Sequence, residues 1–184
     1  MKAWSRVGVV LVLPVLCGGL VAGPSPRDNR DPLEGASRPG ELPYTLANAP
    51  LNEKERAAIY KLIDSDTVHD SFTDQQRDEE RQAVLGSAAG WITLADKGSK
   101  QLLVRGPLLF CGASGNCSWW VFVRDHGGLR LVLRANGDFL VRQTSSQGFR
   151  DVMTSWHMSA AQANLTFYTW NGTKYIETGK GSAP

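Results

Sequence analysis

Histidine and cysteine are scarce in this chain, three of each, and this scarcity narrows the chemistry open to it. A structural zinc site draws on four ligands, commonly two cysteine pairs, and beyond Cys111 and Cys117 the chain has no second pair. No metal ligand set, catalytic motif or cofactor motif is recognisable. An excess of charge of one sign is also missing. The 20 basic and 18 acidic residues leave a net charge of +2, too balanced to imply nucleic acid or an anionic membrane as partner. No stretch reads as a polybasic tail. The apolar run near the N-terminus spans about ten residues, roughly half of what a membrane-spanning helix needs.

What is present supports a folded, exported domain. Hydrophobic residues make up 42% of the 184 residues and six are tryptophan, enough for a real core in one domain. Residues 1–23 read as a secretory signal peptide: Lys2 and Arg6 form a positive start, Val7 to Cys17 is apolar apart from Gly8 and Pro14, and Gly18, Gly19, Ala22 and Gly23 are small. Cleavage is expected after Ala22 or Gly23. Cys17 closes the apolar run and offers lipid anchoring as an alternative, although Pro14-Val15-Leu16 is a poor match to a lipobox. Either route leaves Cys111 and Cys117 as the thiol pair of the mature domain, and export favours a disulfide between them.

Six of the nine prolines fall between Gly23 and Pro50 (Pro24, Pro26, Pro32, Pro39, Pro43 and Pro50), so residues 24–50 read as a disordered linker. Asn52 with Glu55 forms an approximate capping box, and Ala58, Ile59, Leu62 and Ile63 make one helical stripe ending near Asp64. Thr73 and Gln76 cap a second, very polar helix over Asp74 to Leu85. From Trp91 the hydrophobic period becomes two. Strands are expected over Trp91–Ala95, Gln101–Arg105, Leu108–Cys111, Trp119–Arg124, Leu129–Arg134, Asp138–Gln143, Asp151–Met158, Leu165–Trp170 and Thr173–Glu177. In the fifth of these, Leu129, Leu131 and Leu133 face one side and Arg130, Val132 and Arg134 the other. Asn136-Gly137 and Asn171-Gly172 read as hairpin turns, and Thr144 to Phe149 as a loop. The fold class expected is α+β: a mainly antiparallel β meander of seven to nine short strands preceded by two helices. A single domain covers residues 51–178, and a flexible tail covers 179–184.

The most specific local feature is Cys111-Gly112-Ala113-Ser114-Gly115-Asn116-Cys117. A disulfide would close it into a tight loop, contributing about 2–3 kcal/mol by the chain-entropy account. A redox dithiol ordinarily has Cys-x-x-Cys spacing. Ser114 lacks the frame of a nucleophile elbow, because Asn116 stands where that motif needs glycine. His69 lies among Asp66, Asp70 and Ser71, His126 in a glycine-rich turn and His157 on a strand face. Asp96-Lys97-Gly98 holds a single acid, too few hard oxygens for calcium. Asn116, Asn164 and Asn171 match glycosylation sequons. Adjacent Trp119 and Trp120 must point to opposite faces of one strand, so one is expected in the core. The other, with Ser114 and Asn116, forms the candidate binding surface.

The helix Glu53–Ile63, the strand Gln101-Leu102-Leu103-Val104, the Cys-Gly-x-x-Gly-Asn-Cys loop and the closing Trp170-Asn171-Gly172-Thr173-x-Tyr175 hairpin occur here in one order. In that order the chain resembles a group of small exported bacterial proteins of unassigned function, over about Asn52 to Ile176. The resemblance implies export and a fold and names no activity. The functional expectation is therefore a non-catalytic binding or envelope-associated module, secreted or periplasmic, with a glycan, peptidoglycan or another exported protein as partner. The alternatives are a secreted hydrolase, using His69 or His126 with a nearby Asp or Ser, and an inhibitor presenting the disulfide loop to an extracellular enzyme.

Export sets the first test. Intact-mass analysis of the secreted protein is expected to give a mature N-terminus after Ala22 or Gly23. A chain beginning at Cys17 and carrying acyl mass would place the protein on a membrane anchor instead.

Overall fold

In the computed structural model, residues 33–65, 74–107 and 111–183 are described. The signal peptide, the His69 cluster, the Thr73 cap and the core of the short strand expected at Leu108–Cys111 lie outside them. The elements are β1 (Ala36–Ser37), β2 (Tyr44–Thr45), α1 (Glu53–Asp64), α2 (Asp74–Leu85), β3 (Ala88–Thr93), β4 (Lys100–Arg105), β5 (Cys117–Asp125), β6 (Gly128–Ser146), β7 (Phe149–Ser159), β8 (Gln162–Trp170) and β9 (Tyr175–Ala183). Every pairing is antiparallel. The strands follow one another in the order β2-β3-β4-β5-β6-β7-β8-β9, and β1 lies on β6. From β3 to β9 each strand pairs with the next in sequence, whereas β2 reaches β3 through both helices, which is why period-two runs from Trp91 onward were enough to suggest a meander.

The strands are not uniformly short. β6 runs for 19 residues and corrects the reading of Asn136-Gly137 as a hairpin turn. Its first half pairs with β5, from Asp125↔Gly128 to Cys117↔Gly137. Its second half pairs with β7, beginning at Asp138↔Ser155. Gly137 sits at the changeover with φ +105, a conformation that costs a side-chain-bearing residue steric strain. A Cβ there would lie 2.5 Å from the Ser155 carbonyl oxygen. The local signal for a glycine with positive φ was correct, but the chain uses it to bend one strand between two half-sheets. The segment read as a loop at Thr144–Phe149 is mostly strand, joined by a turn at Gln147-Gly148, both with positive φ.

A bulge changes the expected alternation in β6. Val121 pairs with Leu133 but Phe122 pairs with Leu131, so Val132 is the extra residue. Past a bulge the side-chain phase shifts. Leu129 and Leu131 pack on the helix side, whereas Val132 and Leu133 both join the core between the half-sheets.

Two main cores result. Leu103, Trp119, Val121, Phe139, Val152, Trp170 and Tyr175 pack together from both half-sheets, so the sheet curls around them. Phe149 stacks on Trp170 at 4.2 Å, and Tyr175 meets Trp170 edge-on at 5.3 Å. The Tyr175 hydroxyl donates to the Arg150 carbonyl at 2.8 Å. Burial, then the Asp151 carboxylate nearby, raises its pKa well above the ordinary phenol range. The second core lies on the other face of β3–β5, where Leu102, Val104, Trp120 and Phe122 meet Ile59 and Ile63 of α1 and Val84 of α2. The capping box at Asn52 and Glu55 is formed in both directions. Glu55 also pairs with Arg124 of β5 at 2.9 Å, so one carboxylate caps α1 and ties it to the sheet.

Ordered structure extends beyond both expected domain limits. Residues 33–50, expected as linker, carry β1 and β2 and bury Leu46 and Ala49. Leu46 and Ala47 donate backbone bonds to Ser87 and Leu85. Pro43 precedes β2, which is an edge strand where a missing N–H is tolerated. The expected tail is part of β9, paired with β8 as far as Ala163↔Ala183. Its small residues have no hydrophobic period, yet the ladder needs only their backbone. The β8–β9 hairpin is present with a four-residue loop, Asn171–Lys174, because Trp170 pairs with Tyr175. Asn171 Oδ1 accepts from the N–H groups of Thr173 and Lys174.

Gly137→Ala is expected to destabilise the domain by about 3 kcal/mol, from strain and overpacking together. Gly98→Ala, where φ is +77 with nothing within 4 Å of the added Cβ, should cost only about 1 kcal/mol. Urea unfolding of the two variants checks this. Equal losses would show that the Ser155 contact is not what Gly137 relieves.

Candidate functional site

The Cys111–Cys117 disulfide expected from the sequence is present, with Cα atoms 4.2 Å apart. Gly115 takes φ +77 and donates to the Gly112 carbonyl at 2.8 Å, while Gly112 donates to the Asn116 carbonyl at 3.2 Å. The loop is thereby closed by a covalent bond and two backbone bonds. Gly112 to Gly115, including Ser114, are exposed, and Asn116 is buried.

Asn116 is the fastening point. Its Nδ2 donates to the His157 carbonyl at 3.0 Å and to Ser114 Oγ at 2.6 Å, and its Oδ1 accepts from the His157 N–H at 2.9 Å. β6 has left β7 for β5 at Gly137, so the side-chain amide of Asn116 supplies the donor and acceptor that a strand neighbour would otherwise give His157. Backbone groups at such a position need partners, and an amide offers both kinds at once. This is a structural task, and it accounts for a buried asparagine in a loop.

The His157 ring then faces Asp138, Nε2 to Oδ2 at 3.4 Å. The same Asp138 oxygen accepts from Arg38 Nη2 at 2.9 Å. Arg38 is largely exposed, so this pair adds little stability. It does fix the edge of a cleft of about 260 Å³ lined by Arg38, Glu41, Arg105, Trp119, Asp138 and Phe139, with others. Trp119 and Phe139 pack at the base of the cleft, centroids 5.5 Å apart and planes tilted by 37°, with little ring surface exposed. The indole N–H is used on the Gly137 carbonyl at 2.6 Å, which leaves the ring apolar toward the cleft. Arg105 lies with Cζ 6.0 Å from the Trp119 centroid, and its Nε is buried without a hydrogen-bond partner. Among the described residues neither Arg105 nor Glu41 has an ion-pair partner. The larger grooves on the helices, around Tyr60 and Arg81, have a comparable pairing, with Arg81 Cζ 5.9 Å from the Tyr60 centroid, but are lined by helix residues alone.

The structure corrects part of the expected binding surface. Trp119 and Trp120 do point to opposite faces, but both faces are covered, leaving them 8% and 3% exposed. Trp120 faces the helix layer, so it is no surface anchor, and Trp119 offers only its ring edge and face to the cleft. The exposed tryptophan among the described residues is Trp156, at 42%, beside Met158 at 59% on β7. Arg38, Arg105, Asp138 and His157 were not legible as a group: Arg38 fell in the expected linker, and the other three are brought together only by strand pairing. His126 lies in the two-residue β5–β6 turn. There the Gly127 N–H and then Arg130 hold the Asp125 carboxyl below its usual pKa. Among the described residues no group of three or more His, Cys, Asp or Glu is placed to hold a metal, and no helix is long and apolar enough to cross a membrane. The chain matches no family model, no curated protein and no solved structure.

Trp119→Ala and Trp120→Ala are each expected to cost about 3–5 kcal/mol, since each empties a different core. Asn116→Ala should cost about 1–3 kcal/mol by leaving the His157 backbone unpaired. Asn116→Asp, which keeps the acceptor and loses the donor, should also destabilise. Urea titration of these four variants checks the assignment. An unperturbed Trp120→Ala would be incompatible with a helix-covered face.

Proposed function

We propose that this protein acts outside the cytoplasm as a non-catalytic recognition module, secreted or periplasmic, that holds its ligand in the cleft beside the disulfide loop. The observation that carries this reading is the Arg105–Trp119 arrangement: a guanidinium without an ion-pair partner among the described residues, over the Trp119 ring, in a cleft that also holds the exposed carboxylate of Glu41. Convergent polar groups over apolar surface are what ligand sites present. The frame around them is rigid, because the disulfide, Asn116 and the Trp119–Gly137 bond pin it from three directions. A preorganised site loses little ordering entropy on contact.

A hydrolase is the second reading, favoured by the His157–Asp138 contact. Against it, the Ser114 hydroxyl is engaged by Asn116, and among the described residues no hydroxyl or thiol contacts the His157 ring, so the geometry gives recognition more support than nucleophilic attack. The partner classes in keeping with the reading are a glycan, peptidoglycan or another exported protein.

The test is retention of the mature protein on purified peptidoglycan, on immobilised glycans and on exported proteins, with chemical analysis of whatever is bound. The expected result is stoichiometric retention of an unaltered ligand, weakened in Arg105→Gln and unaffected in His126→Gln. Turnover of the ligand that disappears in His157→Gln would establish the hydrolase, and retention on none of these would overturn the recognition reading.

A further inference from the structure

The charges in the cleft are unequal in availability, and that inequality specifies a ligand. Four ionisable side chains reach it: Arg38, Glu41, Arg105 and Asp138. Arg38 and Asp138 satisfy one another at 2.9 Å, with His157 on the same carboxylate oxygen. What remains is one cation, Arg105, and one anion, Glu41. Arg105 is the half-buried member: its Nε is enclosed and unpartnered, and its guanidinium lies near the face of Trp119. A guanidinium held this way carries a desolvation cost that an incoming anion offsets. Its planar fork matches a carboxylate with two parallel hydrogen bonds.

The rest of the lining restricts the anion further. With Arg38 and Asp138 offsetting one another, Glu41 stands, among the described residues, as a free anion beside the one free cation, so a monoanion meets less repulsion than a doubly charged phosphate ester. Half-buried Leu42 and Pro39, with the exposed edge of Trp119, give the ligand an apolar surface next to that anion. Exposed Glu41 is placed at the cleft to accept from an amide or ammonium N–H. At about 260 Å³ the space is below the range of about 300–1,000 Å³ typical for whole drug-sized ligands, so it suits the end of a chain.

Resting on the recognition reading above, we infer that the cleft binds the C-terminal carboxylate of a peptide whose last residue carries a small apolar side chain. The carboxylate sits on Arg105, the side chain against Leu42 and the exposed edge of Trp119, and a backbone N–H on Glu41.

The experiment uses the full mature protein and an N-acetylated tripeptide ending in alanine, as the free acid and as the C-terminal amide. Binding is followed by calorimetry and by the indole N–H resonances. The acid is expected to bind at least about tenfold more tightly than the amide, in keeping with loss of a charge-assisted hydrogen bond, and to shift the Trp119 indole signal. Arg105→Gln should abolish the difference between acid and amide. Arg105→Lys should keep part of it, and Glu41→Gln should leave it in place. If Arg105 variants do not fold, the acid-to-amide ratio of the wild type still decides. Equal affinity for acid and amide overturns the inference, as does a shift confined to other indoles. Tighter binding of phenyl phosphate than of the acid would reassign the anion as a phosphate. Retention on peptidoglycan or glycan without binding of either peptide overturns this inference alone and leaves the recognition reading standing. Cleavage of the peptide overturns the recognition reading itself.

Discussion

The close approach of Gly137 to β7 organises both the fold and the cleft. A single strand, β6, serves as neighbour to β5 for half its length and to β7 for the other half. The changeover requires backbone at φ +105 packed against the Ser155 carbonyl, which leaves no room for a Cβ. Because β6 bends there, the sheet curls and its two halves share one core. Because β6 departs from β7 there, the backbone of His157 loses a strand neighbour, and Asn116 takes that place. The Gly137 carbonyl, turned out of the ladder, accepts from Trp119. The disulfide loop, the Trp119–Phe139 base and the Asp138 edge of the cleft therefore all refer to one bend.

This arrangement separates stability from recognition. Asn116, Trp119, Trp120 and the disulfide hold the frame, and each is buried or covalently fixed. The groups left for a ligand are those with least internal use: the Arg105 guanidinium without an ion-pair partner among the described residues, Glu41 at the rim, and half-buried Leu42. Evenly balanced total charge hides this, because the imbalance is local to four side chains. The same economy appears at α1, where Glu55 both caps the helix and pairs with Arg124.

Local signals were read well where chemistry acts over a few residues. The capping box at Asn52, the extent of both helices, the pairing of Cys111 with Cys117 and the opposed faces of Trp119 and Trp120 follow from propensity, spacing and strand geometry. Signals failed where a local pattern has two structural uses. Asn136-Gly137 has the residues of a hairpin turn and serves as a strand bend. Leu129, Leu131 and Leu133 alternate cleanly, yet the bulge at Val132 sends the last of them into a different core. The stretch 24–50 read as a disordered linker and the end as a flexible tail because neither has a hydrophobic period, although residues 36–37 and 44–45 pair as strands and residues 179–183 belong to the β9 ladder.

The sequence by itself determined the antiparallel, helix-then-strand character of the domain and its disulfide, because periodicity and short spacing act along the chain. Only the tertiary structure decided that both tryptophans are covered, and that Arg38, Arg105 and Asp138 line one cleft with His157 on Asp138. Those residues lie on β4, β6, β7 and the segment after β1. Their proximity depends on strand register and on the bend at Gly137, and register is a property of pairs of strands that no single stretch of sequence contains.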